Sequence, residues 1–316
     1  MAAMGSAFPA AGNHVFLGDN LDLLARIPDG GVDLVYIDPP FNTGHAQERV
    51  HTQAVRDDAS ARVGFRGKAY RSLRVGQQAY DDAFADYLGF LEPRLLEARR
   101  VLAADGAFFL HIDYREVHYC KVLIDGIFGR ASFINEIIWA YDYGARSRSR
   151  WPTKHDTILF YAKDPRAYTF DLEASDRIAY MAPEMVGEDK AARGKTPTDV
   201  WWHTIVSPTG REKTGYPTQK PLGIMRRLLA VHSRPGDTVL DFFAGSGSTG
   251  VAAAELGRRF ILGDSNPEAI AVMKARLDAG TTVFHDCDHI QPAVRPARGA
   301  QRAVVPVAGA GDGIVA

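Results

Sequence analysis

Between about residue 13 and residue 290 the chain alternates short apolar runs with longer stretches of helical period. Five of the runs end alike: HVFLGD, DLVYID, AFFLHID, TVLD and RFILGD close on Asp19, Asp38, Asp113, Asp241 and Asp264. Runs of this length, rich in aliphatic, β-branched and aromatic residues, read as buried strands. The turn signals PDGG (28–31), ADG (104–106) and RPGD (234–237) precede three of them. Helical patterns cover Asn20–Ile27 and Phe84–Leu102, and SNPEAIAVMKARLDA follows RFILGD with Asn266 placed to cap a helix and Pro267 at its first position. This alternation predicts an α/β fold with a largely parallel sheet. In such a sheet the carboxyl ends of the strands share one edge, where ligands bind. A single aspartate at a turn is ordinary; five in register predict a ligand-binding edge.

Two stretches break the rhythm, 45–80 (polar and basic, with FRGKAYRSLR) and 164–215 (Gly, Pro, Thr and charges), and both read as insertions on the αβ frame. Residues 1–12 and 291–316 are Ala-, Gly- and Pro-rich and read as disordered ends, which leaves 13–290 as the folded domain. Composition adds little: 46% apolar and 24% charged residues suit a soluble globular protein. With a formal net charge of −1, any binding of a polyanion must come from local patches. Two cysteines, Cys120 and Cys287, argue against a disulfide framework and fit a reducing cytoplasm. No signal-peptide layout opens the chain, and no apolar run approaches the roughly 18 residues of a membrane helix.

TVLDFFAGSGSTG (238–250) spells G-x-G-x-x-G through Gly245, Gly247 and Gly250, after a strand and before a helix. Glycines there let a backbone turn sharply and approach a ligand. Asp264 closes the next strand 19 residues beyond Gly245, where an acid grips ribose hydroxyls in dinucleotide folds. The signal is a nucleoside site. An NAD-dependent oxidoreductase is one reading, but only one convincing helix remains after the acidic strand, and the strands such a fold needs lie at the start of the chain instead. The phosphate loop G-x-x-x-x-G-K-[S/T] is absent from the sequence, which argues against an ATPase. In LVYIDPPFNTG (34–44) an apolar run ends in Asp38, two prolines stiffen the next residues, and Phe41 follows. By itself this is an Asp-capped proline turn with a core Phe; beside the glycine loop it reads as chemistry.

DFFAGSGSTG resembles the S-adenosylmethionine-binding motif of amino-group DNA methyltransferases, and DPPF resembles their catalytic tetrapeptide. RRVLAADGAFFLHID, IFGRASFINEIIW, KHDTILFYAK and YPTQKP (216–221) are similar to framework segments of the adenine-specific members. Phe242 stands where Pro is common and Ser248 where Thr is common. The order, tetrapeptide first and glycine loop last, resembles the circularly permuted beta class. The resemblance implies a Rossmann-like methyltransferase domain with a target-recognition insertion at 164–215, using S-adenosyl-L-methionine to methylate adenine N6 in double-stranded DNA. Cytosine N4 remains the alternative, since its amine needs the same geometry, although cytosine enzymes more often carry Ser at position 38. Asp38, Pro39, Pro40 and Phe41 are then catalytic: the carboxylate and the Pro39 carbonyl take the two amine hydrogens, and Phe41 stacks on the base. For the cofactor, Asp19 receives the adenine amine, Asp264 holds the ribose, and Asp241, Phe243, Gly245, Gly247 and Thr249 line the site. Thr218 and Lys220 lie near its carboxylate. Cytosine-C5 chemistry needs a Pro-Cys pair, and none occurs.

GARSRSRWPTKH (144–155) gathers Arg146, Arg148, Arg150 and Lys154 around Trp151 with no acid between, as suits contact with phosphates; a solvated loop is the plain alternative. Arg62–Arg74 carries five basic residues and is a second candidate contact. HDCDH (285–289) has metal-ligand residue types, but five contiguous residues poorly wrap one tetrahedral ion, so it reads as solvated tail with no metal. A cognate restriction endonuclease, including one that this chain needs for activity, and a homodimer stay open as partners.

Overall fold

The computed structural model describes residues 12–42, 47–56, 70–80, 84, 86–144, 146–207 and 210–293. The Arg62–Arg74 run falls mostly outside them, as do nearly all of the two chain ends. The strands are β1 (Asn13–Leu17), β2 (Val32–Ile37), β3 (Gln47–Arg56), β4 (Tyr70–Tyr80), β5 (Leu102–Ile112), β6 (Phe133–Ala140), β7 (His155–Ala162), β8 (Val200–Trp202), β9 (Thr238–Asp241), β10 (Arg259–Asp264) and β11 (Thr282–His285). The helices are α1 (Asn20–Leu24), α2 (Tyr87–Val101), α3 (Val117–Phe128), α4 (Glu188–Arg193), α5 (Leu222–His232), α6 (Ser248–Glu255) and α7 (Pro267–Arg276). Nine strands form one sheet in the order β11-β1-β10-β9-β2-β5-β7-β6-β8, and β3 pairs with β4 as a separate hairpin inside the 45–80 insertion. Every neighbour pair from β11 to β5 is parallel; β7 runs against β5 and β6, and β8 lies parallel to β6. The α/β, mostly parallel architecture read from the run pattern is the one observed.

Period-two alternation gives the sheet two buried faces. Leu34, Tyr36 and Phe109 point to the face covered by α5, α6 and α7, through Leu228, Ala252 and Met273. Val35, Ile37, Phe108 and Leu110 point to the other, against α1, α2 and α3 through Leu23, Leu95 and Ile124. Each such side chain, fully removed from water, contributes roughly 1.5–3 kcal/mol before chain entropy is counted. The helices start where polar caps allow. Asn266 accepts from Glu268 N at 2.9 Å to open α7 with Pro267 in its first turn, as the sequence predicts. Asp86 accepts from Gly89 N at 2.9 Å, so α2 starts at Tyr87 and leaves Phe84 outside.

The chain leaves β9 through α6 towards β10 on one side and leaves its neighbour β2 through α2 towards β5 on the other. Loops that part in this way open a crevice at the carboxyl edge.

Four expectations need correction. ADG (104–106) is no turn: β5 runs through it, and the register with β2 shifts between Val32 and Leu34 to absorb the extra residues. HDCDH is only partly a solvated tail: Asp286, Asp288 and His289 are exposed, but His285 ends β11, which adds a parallel strand beside β1, Cys287 is fully buried, and His285 Nε2 lies 3.0 Å from His14 Nδ1. The 164–215 segment is no pure insertion, since β8 extends the main sheet and Trp201 is buried in the core. Finally, α1 ends at Leu24 rather than Ile27. No helix among the described residues is long and apolar enough to cross a membrane.

Candidate active site

A cavity of about 360 Å³ opens at the crevice between β9 and β2. Its lining includes Asp19, Asp38, Pro39, Pro40, Phe41 and Thr218. Lys220, Asp241, Phe243, Gly245, Thr249 and Asp264 line it as well. Segments two hundred positions apart in the sequence therefore meet. Two of the residues singled out fall elsewhere. Asp113 closes β5 but pairs with Arg115, away from the cavity. Gly247 sits beneath the glycine loop as the cap of α6, at φ +73°, and a Cβ there would come within 2.6 Å of Met273 Cγ. Gly250 likewise packs: its Cβ would meet Leu262 at 2.5 Å. Only Gly245, at φ +49°, faces the cavity, where a Cβ would stand 3.2 Å from the Tyr216 ring. One glycine of the pattern serves the ligand side, and two serve helix–sheet packing.

The DPPF turn is held from both ends. Tyr87 donates its hydroxyl proton to the Pro40 carbonyl at 2.6 Å. Asn42, at φ +51°, donates to Glu116 Oε1 at 2.8 Å and accepts from Phe84 N at 3.0 Å. With two prolines fixing φ, the turn presents Asp38 to the cavity with little freedom. Lys220 binds Asp38 Oδ2, and its ammonium lies 4.9 Å from the Phe41 ring centroid. Asp38 Oδ1 is buried and without a hydrogen-bond partner among the described residues. A buried, unpartnered carboxylate oxygen is costly unless something arrives to donate to it.

Behind Phe41 lies a buried polar chain that the sequence did not suggest. Tyr36 OH is 2.7 Å from His111 Nδ1, His111 Nε2 is 3.2 Å from Asp156 Oδ2, and Tyr141 donates to Asp156 Oδ1 at 3.0 Å. Burial pushes the Asp156 carboxyl up, but the His111 hydrogen bond, the Lys220 charge and the Tyr141 hydroxyl outweigh it and hold the group below its usual range. His111 in AFFLHID and Asp156 in KHDTILFYAK are polar residues inside apolar strands, and that was the available signal.

On the glycine-loop side, Asp264 accepts from Gly245 N and Asn266 N, both at 2.8 Å, so the acid shapes the loop it faces. Burial raises its carboxyl above the usual value. Asp241 accepts from Thr249 Oγ1 at 2.6 Å and Phe243 N at 3.0 Å, and burial pushes it up to about 7. Asp19 caps α1 through Leu21 N at 2.8 Å and pairs with Arg94 at 3.0 Å. Arg94 lies 3.9 Å from the Phe90 centroid, and Phe90 meets Phe243 at 6.1 Å, which builds an aromatic wall on one side of the cavity. Phe90 and Arg94 went unnoticed in the sequence because α2 reads there as an amphipathic helix. An arginine one turn after a phenylalanine on its buried face was the clue.

Arg146, Arg148 and Arg150 lie outside the cavity on the exposed β6–β7 loop with Trp151, which is 93% exposed. Lys154 pairs with Asp142 at 3.0 Å, so one of the four cations is already matched. Because β6 runs parallel to β2 within the sheet, this loop hangs from the same edge as Asp38.

A Rossmann-like sheet, a nucleoside-type cavity at its switch point and an acid-tipped proline turn across from a glycine loop together define a class, the group-transfer enzymes that use a nucleoside cofactor. The model of the DNA methylase family matches residues 32–275, and the chain belongs to that family. It is 28% identical over 277 residues to the DNA adenine methyltransferase YhdJ of Escherichia coli (strain K12), an alignment covering 84% of this chain and 82% of that protein. Among solved structures it resembles the PvuII DNA methyltransferase (cytosine-N4-specific), with a TM-score of 0.57, 17% identity, and coverage of 87% of this chain and 90% of that one. It also resembles an M1.HpyAVI–SAM complex, with a TM-score of 0.54, 20% identity, and coverage of 84% and 98%. Both structural likenesses bear on the fold.

Proposed function

We propose that this protein transfers the methyl group of S-adenosylmethionine to the N6 amino group of adenine in double-stranded DNA, with the base turned out of the duplex into the cavity. The observation that carries this reading is Asp38 Oδ1, an unpartnered buried acceptor on a stiffened turn facing the glycine loop. The exocyclic amine of adenine is a poor nucleophile because its lone pair is delocalised into the ring. Asp38 Oδ1 accepts one amine hydrogen and the Pro39 carbonyl the other, so the nitrogen moves towards tetrahedral geometry and its lone pair is freed. The carboxylate also supports the positive charge that grows on that nitrogen. Phe41 stacks on the base, worth roughly 1–3 kcal/mol, which offsets part of the few kcal/mol that base flipping requires.

The residues fit the cofactor. Asp264, held by the Gly245 amide, is an acceptor suited to ribose hydroxyls, Phe90 and Phe243 form a wall suited to an adenine ring, and a cluster of carboxyls favours a sulfonium cation. When bound, S-adenosylmethionine supplies an electrophilic methyl carbon. Arg146, Arg148 and Arg150 contact phosphates, and Trp151 rests against the duplex. The 164–215 region reads sequence. The chain order is that of a circularly permuted methyltransferase, a reading supported by β1 lying directly beside β10.

Cytosine N4 is the second reading, since its amine needs the same geometry, whereas Asp38 and the YhdJ relative support adenine. Expression in a methylation-free host, with modified bases mapped across the genome, tests both. N6-methyladenine at a fixed sequence is expected, and Asp38→Ala should abolish it while retaining cofactor binding. N4-methylcytosine refutes the adenine assignment, and wild-type turnover of Asp38→Ala removes Asp38 from the reaction. Methyl transfer by the purified chain alone distinguishes a free-standing enzyme from a subunit that waits for a restriction partner.

A further inference from the structure

The side chain of Lys220 lies where the family resemblance does not put it. The resemblance places it by the carboxylate end of the cofactor; here its ammonium holds Asp38 Oδ2. Its backbone is fixed from the glycine-loop side, since Ser248 Oγ donates to the Lys220 carbonyl at 2.9 Å and α5 starts two residues later. The anchored main chain and the flexible four-carbon stem leave the ammonium as the mobile part. Thr218, the other residue expected near the cofactor carboxylate, lines the same cavity at φ +53°.

We infer that Lys220 is a two-position switch, which neutralises Asp38 through Oδ2 until a cofactor carboxylate enters and then turns onto that carboxylate, leaving Asp38 its full charge to face the target amine through Oδ1. Three physical points carry this inference, which rests on the reading of the protein as an S-adenosylmethionine-dependent DNA methyltransferase. A largely buried Asp38 without a cation would be costly, so the pair stabilises the cavity before cofactor arrives. An ammonium kept on Asp38 would stand beside a nitrogen that becomes positive during transfer, and like charges at that range oppose each other strongly in a dry site. An incoming carboxylate offers the ammonium an equivalent partner, and Asp38, left without its cation, is matched by the positive charge that grows on the target amine. Cofactor and target amine therefore become coupled ligands, each strengthening the other.

The test measures duplex affinity with adenine or with purine, which lacks the amine, at the target position. Each duplex is titrated in the presence of S-adenosylhomocysteine, which carries the carboxylate, or 5′-methylthioadenosine, which lacks it. In the wild type, adenine should be preferred over purine by about 10-fold with S-adenosylhomocysteine and by little with methylthioadenosine. In Lys220→Met, or in Lys220→Gln should the first variant fold poorly, the preference should be the same with either nucleoside. Equal preference with both nucleosides in the wild type, or a variant that keeps the carboxylate dependence, overturns the switch. A wild type that binds neither S-adenosylhomocysteine nor the duplex overturns the functional reading instead.

Discussion

Asp241→Asn isolates a charge that the fold holds near its titration point. Asp241 is 2% exposed and accepts hydrogen bonds from Thr249 and Phe243. Burial raises its carboxyl from 3.8 to about 7, against the pull of those two bonds and with help from the charges of Asp38 and Asp264. The folded state therefore binds more protons than the unfolded chain between about pH 4 and pH 7, so stability falls as pH rises through that window and levels off above it. At about 1.4 kcal/mol per pH unit, the gap between 3.8 and about 7 amounts to about 4 kcal/mol, of which about 3 kcal/mol develops between pH 5 and pH 8. Asparagine keeps the shape and cannot ionise. Urea unfolding of both proteins at pH 5, 6, 7 and 8 gives the difference in stability at each pH, in which titrating groups that do not interact with Asp241 cancel. The variant should gain about 3 kcal/mol on the wild type across the series. A difference that is flat with pH would mean that Asp241 is ionised throughout, and would refute the argument from burial.

Three further outcomes follow from the site. Asp264→Ala releases the Gly245 and Asn266 amides and should lower S-adenosylmethionine affinity at least about tenfold by calorimetry, at roughly 1.4 kcal/mol for the lost contacts; an unchanged affinity counts against the ribose placement. Phe41→Ala should weaken binding of the target duplex by roughly 1–3 kcal/mol with cofactor affinity intact, and a loss confined to the cofactor would reassign the ring. Replacing Arg146, Arg148 and Arg150 together by Gln should reduce the slope of log affinity against log salt by about 2 to 3, and an unaltered slope moves the duplex to another surface.

The run pattern carried the sheet because aliphatic strands buried on both faces leave a continuous apolar trace, and the aspartates marked its working edge because each stands where a parallel strand stops. Four of those five acids line the cavity; Asp113 does not, since Arg115 two residues on takes it. What failed to show was cooperation across the fold. The G-x-G-x-x-G spacing looks like one ligand cradle, yet Gly247 and Gly250 answer to Met273 and Leu262 from other elements, contacts that no local window contains. β11 was missed because HDCDH hides a short strand end whose strand partner among the described residues is β1, some 270 residues earlier. The Asp38–Lys220 pair was unreadable for the same reason, since 182 positions separate its members.

Four carboxyls around one cavity would repel one another if all were ionised and bare, and each is answered differently. Arg94 matches Asp19, Lys220 matches Asp38, and a proton half-occupies Asp241 near neutral pH. Asp264 has only two backbone amides and, among the described residues, no cation. The set as a whole therefore presents little more than a single negative charge, the complement of a cofactor whose sulfonium, ammonium and carboxylate sum to plus one. Withdrawal of Lys220 changes that sum locally: Asp38 gains its full charge beside the amine just as a cation forms on it. Charge of the required sign then appears at the reacting nitrogen only once the methyl donor is in place.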